Sequence, residues 1–192
     1  VWLATQSLDL AAQSVFLYCF REREIVLDIL ELVSGQRMMT TYIRPGGVWR
    51  YVPEEFYAAV DDFVGMFPKR IAQYDGLLTK NPLYIDRTKR IGVINAEEAV
   101  AWGLTGPTLR GSGVAYDLRR AQPYSGYEEY DFDVPTQTEG DVYARYLVRM
   151  EEFRQSLRII KQAMKRLKET KGAPVCSNNR KYVPPPRSEI GV

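Results

Sequence analysis

Apolar residues recur at helical spacing over three long stretches of the chain. The last is the most regular. Val142, Tyr146, Met150, Phe153, Leu157, Ile160, Met164 and Leu167 advance by steps of three or four, which predicts about seven turns of amphipathic helix ended by Gly172 and Pro174. At the other end, residues 1–33 read as helix, divided into two near residues 11–14, with Ser14 placed to cap the second. Phe16, Phe20, Leu27, Leu30 and Val33 would form its buried stripe, the run Arg21-Glu22-Arg23-Glu24 a polar interruption, and Gly35 the stop. Between these two, Pro53 suits the first position of a helix, with Glu54 and Glu55 in its first turn and an apolar side from Phe56 to Leu78. Pro68 within it predicts a kink or break.

Punctuation residues organise the rest. Pro45, Gly46 and Gly47 place a loop over residues 36–51. Asn81-Pro82 opens a short segment, and Asn95 with Glu98 forms a capping box for a helix ending at Gly103. Residues 104–135 read as mostly irregular, with a short helix near residues 114–120 and a short strand near residues 130–134. The predicted fold class is mostly α: a helical bundle with long irregular loops and little β. Residues 1–171 would form the helical part and residues 172–192, with Pro184-Pro185-Pro186, an extended tail.

Composition narrows the chemistry. At 192 residues with 45% hydrophobic positions, the chain can build one core. A net charge of +2 gives no argument for a nucleic-acid partner. The distribution is uneven, with eleven Lys/Arg against three Asp/Glu from Tyr143 to Lys181, but the phased stripe there argues for core packing with a cationic rim. Cys19 and Cys176 form no CxxC pair and there is no His, so a zinc site, a cluster or a His-based hydrolase is unsupported. No apolar run reaches the roughly 18 residues of a membrane span.

The stretch LRGSGVAYDLRRAQPYSGYEEYDFDVP, residues 109–135, is the richest in polar chemistry. Gly111-Ser112-Gly113 lacks the Lys-Ser/Thr of a phosphate loop and the third Gly of a dinucleotide fingerprint, which leaves a tight turn. Asp131 and Asp133, on one face if extended, are expected to pair with Arg110, Arg119 and Arg120, together with Glu128 and Glu129. Asp9, between Leu8 and Leu10, is either solvent-facing or a buried acid that sets the charge state of a site.

Four blocks, SGQRMMTTYIRPGGV (34–48), GLTGPTLRGSGVAYDLR (103–119), PYSGYEEYDFDVP (123–135) and EGDVYARYLVRMEEFRQSLRIIKQA (139–163), resemble in the same order the D subunit of the proton-pumping NADH:quinone oxidoreductase, respiratory complex I. The resemblance implies a fold related to the large subunit of nickel–iron hydrogenases. It implies a cavity, shared with the iron–sulfur B subunit, in which quinone is reduced as electron transfer is coupled to proton translocation. NADH would be oxidised in other subunits, and no cofactor would be held by this chain alone. Subunits B, C and H, the last in the membrane, are the implied partners. The implied location is peripheral, on the cytoplasmic face of the bacterial inner membrane or the matrix side in mitochondria.

The family's helix motif THALDLGAxTPF corresponds to Thr5-Gln6-Ser7-Leu8-Asp9-Leu10-Ala11-Ala12 followed by Ser14-Val15-Phe16. The resemblance therefore assigns Asp9 to the acid of the site and places Thr5 and Phe16 on the cavity wall. Gln6 stands where the motif has His, Ala11 where it has Gly, and Ser14-Val15 where it has Thr-Pro. Arg44, in the RPGG loop, is expected to pair with carboxylates and hold that loop near the core. The family's headgroup His and Tyr would fall upstream of Val1, so the resemblance implies an internal segment, inactive alone and with apolar faces uncovered. A true hydrogenase large subunit would need two CxxC pairs, which this sequence lacks. A non-catalytic scaffold or assembly protein on the same fold is the alternative.

Overall fold

The computed structural model describes residues 1–177. Helix α1 spans Trp2–Asp9 and α2 spans Gln13–Ser34. The elbow between them is a complete Schellman motif. Ala12 N–H donates to Ser7 O at 2.7 Å and Ala11 N–H to Leu8 O at 3.0 Å, closing the carbonyls that α1 would leave open. This geometry drives Ala11 to φ 66°, a region that costs an L-residue roughly 1 kcal/mol. Ala12, without a side-chain bond, is the N-cap of α2, so the expected Ser14 cap is not formed: the Schellman turn sets where α2 begins. Gly35 ends α2 at φ 75°, as its sequence position predicts.

Residues 43–48 form a hairpin, β1 (Ile43–Arg44) paired with β2 (Gly47–Val48), inside the expected loop. The chain returns to it after the last helix: Val48 N–H donates to Val175 O at 2.9 Å and Ser177 N–H to Gly46 O at 2.9 Å. The proline-rich part of the expected tail lies outside the described residues. Helix α3 spans Glu54–Leu78 and passes through Pro68 without the expected break. Both ends of α3 are held by the core, with Tyr57, Val60 and Val64 buried before the proline and Ile71, Tyr74 and Leu78 after it, which offsets one lost backbone bond.

Four short helices follow: α4 (Pro82–Thr88), α5 (Ala96–Ala101), α6 (Gly106–Gly111) and α7 (Leu118–Ala121). Asn81 caps α4, and the Asn95/Glu98 capping box of α5 is present in both directions. Asp141 caps α8 (Val142–Glu169), accepting from Ala144 N–H at 2.6 Å and from Arg90 N–H at 2.8 Å, so one buried carboxylate fixes both a helix start and the linker before α5.

The core lies where α2, α3 and α8 meet and includes Leu3, Val15, Ile71, Tyr74, Leu78, Tyr84, Tyr146, Met150 and Leu157. Tyr84 and Tyr146 pack edge-on with ring centres 4.9 Å apart. The predicted α8 stripe faces this core. Ala144 and Val148, off that stripe, are also buried, because α6 and the irregular stretch cover a second side. On α2 the buried face differs from the expected stripe: Val15, Glu22, Leu27 and Val33 are buried while Phe16, Phe20 and Leu30 are only half-buried. No strand forms at residues 130–134. Among the described residues no helix is long and apolar enough to cross a membrane. Large apolar side chains stand open to solvent, Met39 and Ile43 at 85% and Trp102 at 79%.

The strained elbow gives a direct test. Ala11→Gly removes the Cβ conflict at positive φ and should raise unfolding stability by about 0.5–1 kcal/mol, measured by chemical denaturation; a loss of stability would contradict the strain.

Candidate functional site

Leu3, Ala4 and Ser7 are the buried residues of α1. At 100° per residue, position 9 falls nearly opposite them and position 5 beside it. Thr5 and Asp9 therefore share the outer face, and both are exposed. The buried-acid alternative for Asp9 is not what the fold shows: the core claims the other side of α1. Thr5 Oγ1 donates to Trp2 O at 3.1 Å within its own helix. Asp9 is the last residue of α1 and has no hydrogen-bond or ion-pair partner among the described residues. A carboxylate at a helix C-terminus meets the negative end of the dipole, so it costs rather than supplies stability. Phe16, half-buried on α2, packs on Phe20 at 4.6 Å. Thr5 and Asp9 share one face of α1, and no contact joins them to Phe16 among the described residues. Gln6, in the motif's His position, has its side-chain oxygen buried without a partner.

Among the described residues Arg44 pairs with no carboxylate. Its Nε donates to Thr41 O at 3.0 Å and its guanidinium lies 5.3 Å from the Trp49 ring, an exposed cation–π contact across the hairpin. Arg44 is exposed on the two-residue β1, and both of these partners belong to its own loop and hairpin.

The Arg–carboxylate network of residues 109–135 exists, but with different partners from those expected. Arg158 of α8 pairs with both Asp131 and Asp133, and Arg166 pairs with Glu129. Gln162 Oε1 accepts from Asp131 N–H at 2.9 Å and Gln155 Oε1 from Asp133 N–H at 3.0 Å. The segment is extended, as read, but α8 side chains rather than a strand ladder satisfy its backbone donors. Phe132, between the two aspartates, is 3% exposed and lies under Arg119 and Arg120, at 4.7 and 4.1 Å. The loop arginines turn elsewhere. Arg110, 6% exposed, pairs with Glu152 of α8 and donates to Tyr116 O at 3.0 Å. Arg119 bonds Asp117 at 2.7 and 3.0 Å, and this contact holds the Asp117 carboxyl below its ordinary range and raises the Arg119 guanidinium. These four groups line an open cavity of about 410 Å³ between α6, α7 and α8.

A second buried cluster was missed. Glu22, 3% exposed on α2, accepts from the Tyr74 hydroxyl of α3. Its other oxygen takes Arg21 Nε at 2.7 Å and Arg70 Nε at 3.3 Å. Burial, then the bond to Glu22, pushes the Tyr74 hydroxyl well above its usual range, and burial raises the adjacent Cys19 thiol. The signal was available: Glu22 lies seven residues, two helical turns, after the buried Val15, within the run read as a polar interruption.

The family model for the respiratory-chain NADH dehydrogenase, 49 Kd subunit, matches residues 9–191, and the chain belongs to that family. It is 56% identical over 190 residues to the D 2 subunit of NADH-quinone oxidoreductase from Chloroflexus aurantiacus, covering 99% of this chain and 46% of the relative. It is 58% identical over 190 residues to the D 1 subunit from Roseiflexus castenholzii, covering 99% and 46%. It is 48% identical over 190 residues to the D subunit from Geotalea uraniireducens, covering 99% and 48%. The chain thus spans just under half the length of these curated relatives.

Two measurements test the buried clusters. Glu22→Ala strands the Tyr74 hydroxyl and opens a gap; because Arg21 and Arg70 reach solvent, the hydroxyl sets the cost, about 2 kcal/mol, seen as a lower denaturation midpoint. An unchanged midpoint would refute it. Asp117 has its pKa lowered by folding, so its contribution is present above the unfolded value, near pH 4, and is lost as pH falls through the lower folded value. Asp117→Asn should therefore flatten the acid limb of the stability–pH curve and leave its shape above pH 6 unchanged, to within about 0.3 kcal/mol.

Proposed function

We propose that this chain supplies one wall of a quinone-reduction cavity in the proton-translocating NADH:quinone oxidoreductase, shared with the iron–sulfur B subunit. The observation that carries the proposal is Asp9: exposed, without a partner among the described residues, and placed where it costs helix stability, at the acid position of the motif. Leu8, its neighbour in sequence, and Leu17 on α2 are exposed, apolar surface suited to a covering protein or a quinone ring. Reduction of quinone to quinol takes two electrons and two protons; a cluster in the iron–sulfur partner would deliver the electrons, with NADH oxidised elsewhere in the complex.

The chain's own residues act on the protons. A carboxylate at position 9, shielded from water once a partner covers the wall, raises the pKa of a nearby proton donor through its charge. Thr5, one turn before it, offers a hydroxyl on the same face. Gln6 can donate a hydrogen bond at the motif's His position but cannot carry a proton. Subunits B, C and H are the proposed partners, and a peripheral position on the cytoplasmic (or matrix) face of the membrane the proposed location. Gln6 in the His position also favours a second reading, a non-catalytic scaffold or assembly protein of the same fold.

Asp9→Asn in the complete parent complex separates the two. The catalytic reading expects quinone reductase turnover to fall at least tenfold, about 1.4 kcal/mol in barrier, with the complex still assembled on native gels. Normal turnover would remove Asp9 from the mechanism, and a complex that assembles without quinone reductase activity even with the native residue would establish the scaffold.

A further inference from the structure

Two guanidiniums, Arg110 and Arg119, and two carboxylates, Asp117 and Glu152, line the open cavity of about 410 Å³ between α6, α7 and α8. These are its only charged lining residues, so the lining carries no net charge. Its size lies within the range of about 300–1,000 Å³ usual for small-molecule sites. The two buried members are committed to the protein. Arg110 donates from Nη1 to Tyr116 O at 3.0 Å and from Nη2 to Glu152, while its Nε is shut off from solvent. Both oxygens of Asp117 accept from Arg119, which keeps that carboxyl ionised.

The two half-buried members each keep one charged atom free. Arg119 spends Nε and Nη2 on Asp117, and its Nη1 has no hydrogen bond among the described residues. Glu152 accepts from Arg110 on Oε1, and its Oε2 has no partner among the described residues. These side chains are 23% and 22% exposed, so a ligand can reach both. A cation would satisfy Glu152 and be repelled by Arg119, and an anion would meet the reverse. A molecule carrying both charges satisfies both groups through charge-assisted hydrogen bonds. Tyr116, Leu118 and Tyr124, 39%, 48% and 48% exposed, also line the cavity and offer apolar and aromatic surface.

We infer that this cavity binds a zwitterion, a free amino acid with an aromatic side chain, phenylalanine being the simplest case. Its ammonium donates to Glu152 Oε2, its carboxylate accepts from Arg119 Nη1, and its ring packs against the tyrosines and Leu118. No residue of α1, α2 or α3 lines this site, which stands independently of the role proposed for Asp9.

The test is a ligand panel on the full chain, titrated by ligand-observed NMR at neutral pH: phenylalanine, phenethylamine, phenylpropanoate and glycine. Phenylalanine should bind at least tenfold tighter than phenethylamine, which lacks the carboxylate, and than phenylpropanoate, which lacks the ammonium. Glycine, without the ring, should also bind more weakly. Ser156 lines the cavity from an exposed position on α8, so Ser156→Trp fills the space and should abolish phenylalanine binding with helix content unchanged by circular dichroism. The ligand comparison on the native chain decides the matter even if that variant does not fold. No binding of phenylalanine, equal or tighter binding of any other member of the panel, or phenylalanine binding that survives in a folded Ser156→Trp variant would each overturn the inference.

Discussion

Helix α8 is buried from two sides, and the rest of the structure depends on that double burial. Its predicted stripe packs on α3 and the core. Its second side takes α6, with Ala144 and Val148 almost wholly enclosed. The approach at α6 is so close that a Cβ on Gly111 would come within 2.9 Å of the Arg145 side chain. A helix with one apolar face would leave residues 104–135 as a loose excursion. With two, that stretch becomes a second layer.

What fixes the layer in register is a reading of the extended loop by α8. Gln155, Arg158 and Gln162 occupy one face at helical spacing and engage alternate residues, Asp133 and Asp131, through backbone and carboxylate. The exposed ion pairs contribute little each. The glutamine bonds matter because they satisfy backbone donors that no ladder serves, and Phe132 supplies the apolar anchor beneath two guanidiniums. The buried Arg110 and the half-buried Glu152 close the other end as a pair. Such a pair adds little net stability but makes any other register costly, since either partner alone would be stranded.

The elbow between α1 and α2 obeys the opposite logic. Ala11 is held in a region that suits Gly, Gln6 buries an unpartnered oxygen, and Asp9 sits at the unfavourable end of a dipole. Local rules are broken together at this one turn, the place to which the proposed function assigns the site. The Glu22 cluster differs: its carboxylate is paired on both oxygens, so its burial is compensated.

Periodicity and punctuation were enough for the long helices, the segment opening at Asn81-Pro82, the Asn95 cap and the mostly α class, because spacing and side-chain-to-backbone bonds are local. Family membership was legible through a different signal, the ordered blocks of residues that resemble the family. They could not place Asp9 outward, because the buried side of a short helix is chosen by what packs on it. They could not assign partners to Arg44, Asp131 or Asp133, because ion pairs form across sequence distances that only packing closes. Pro68 stayed within a continuous helix because tertiary burial on both sides outweighed one missing hydrogen bond. Glu22 looked like part of a solvated charge run until α3 brought the Tyr74 hydroxyl and Arg70 to it. The sequence by itself determined the long helices, the mostly α class and the family they belong to. Which polar groups are buried, and with whom, was decided by the tertiary structure, because a charge enters a core only where another element supplies its partner.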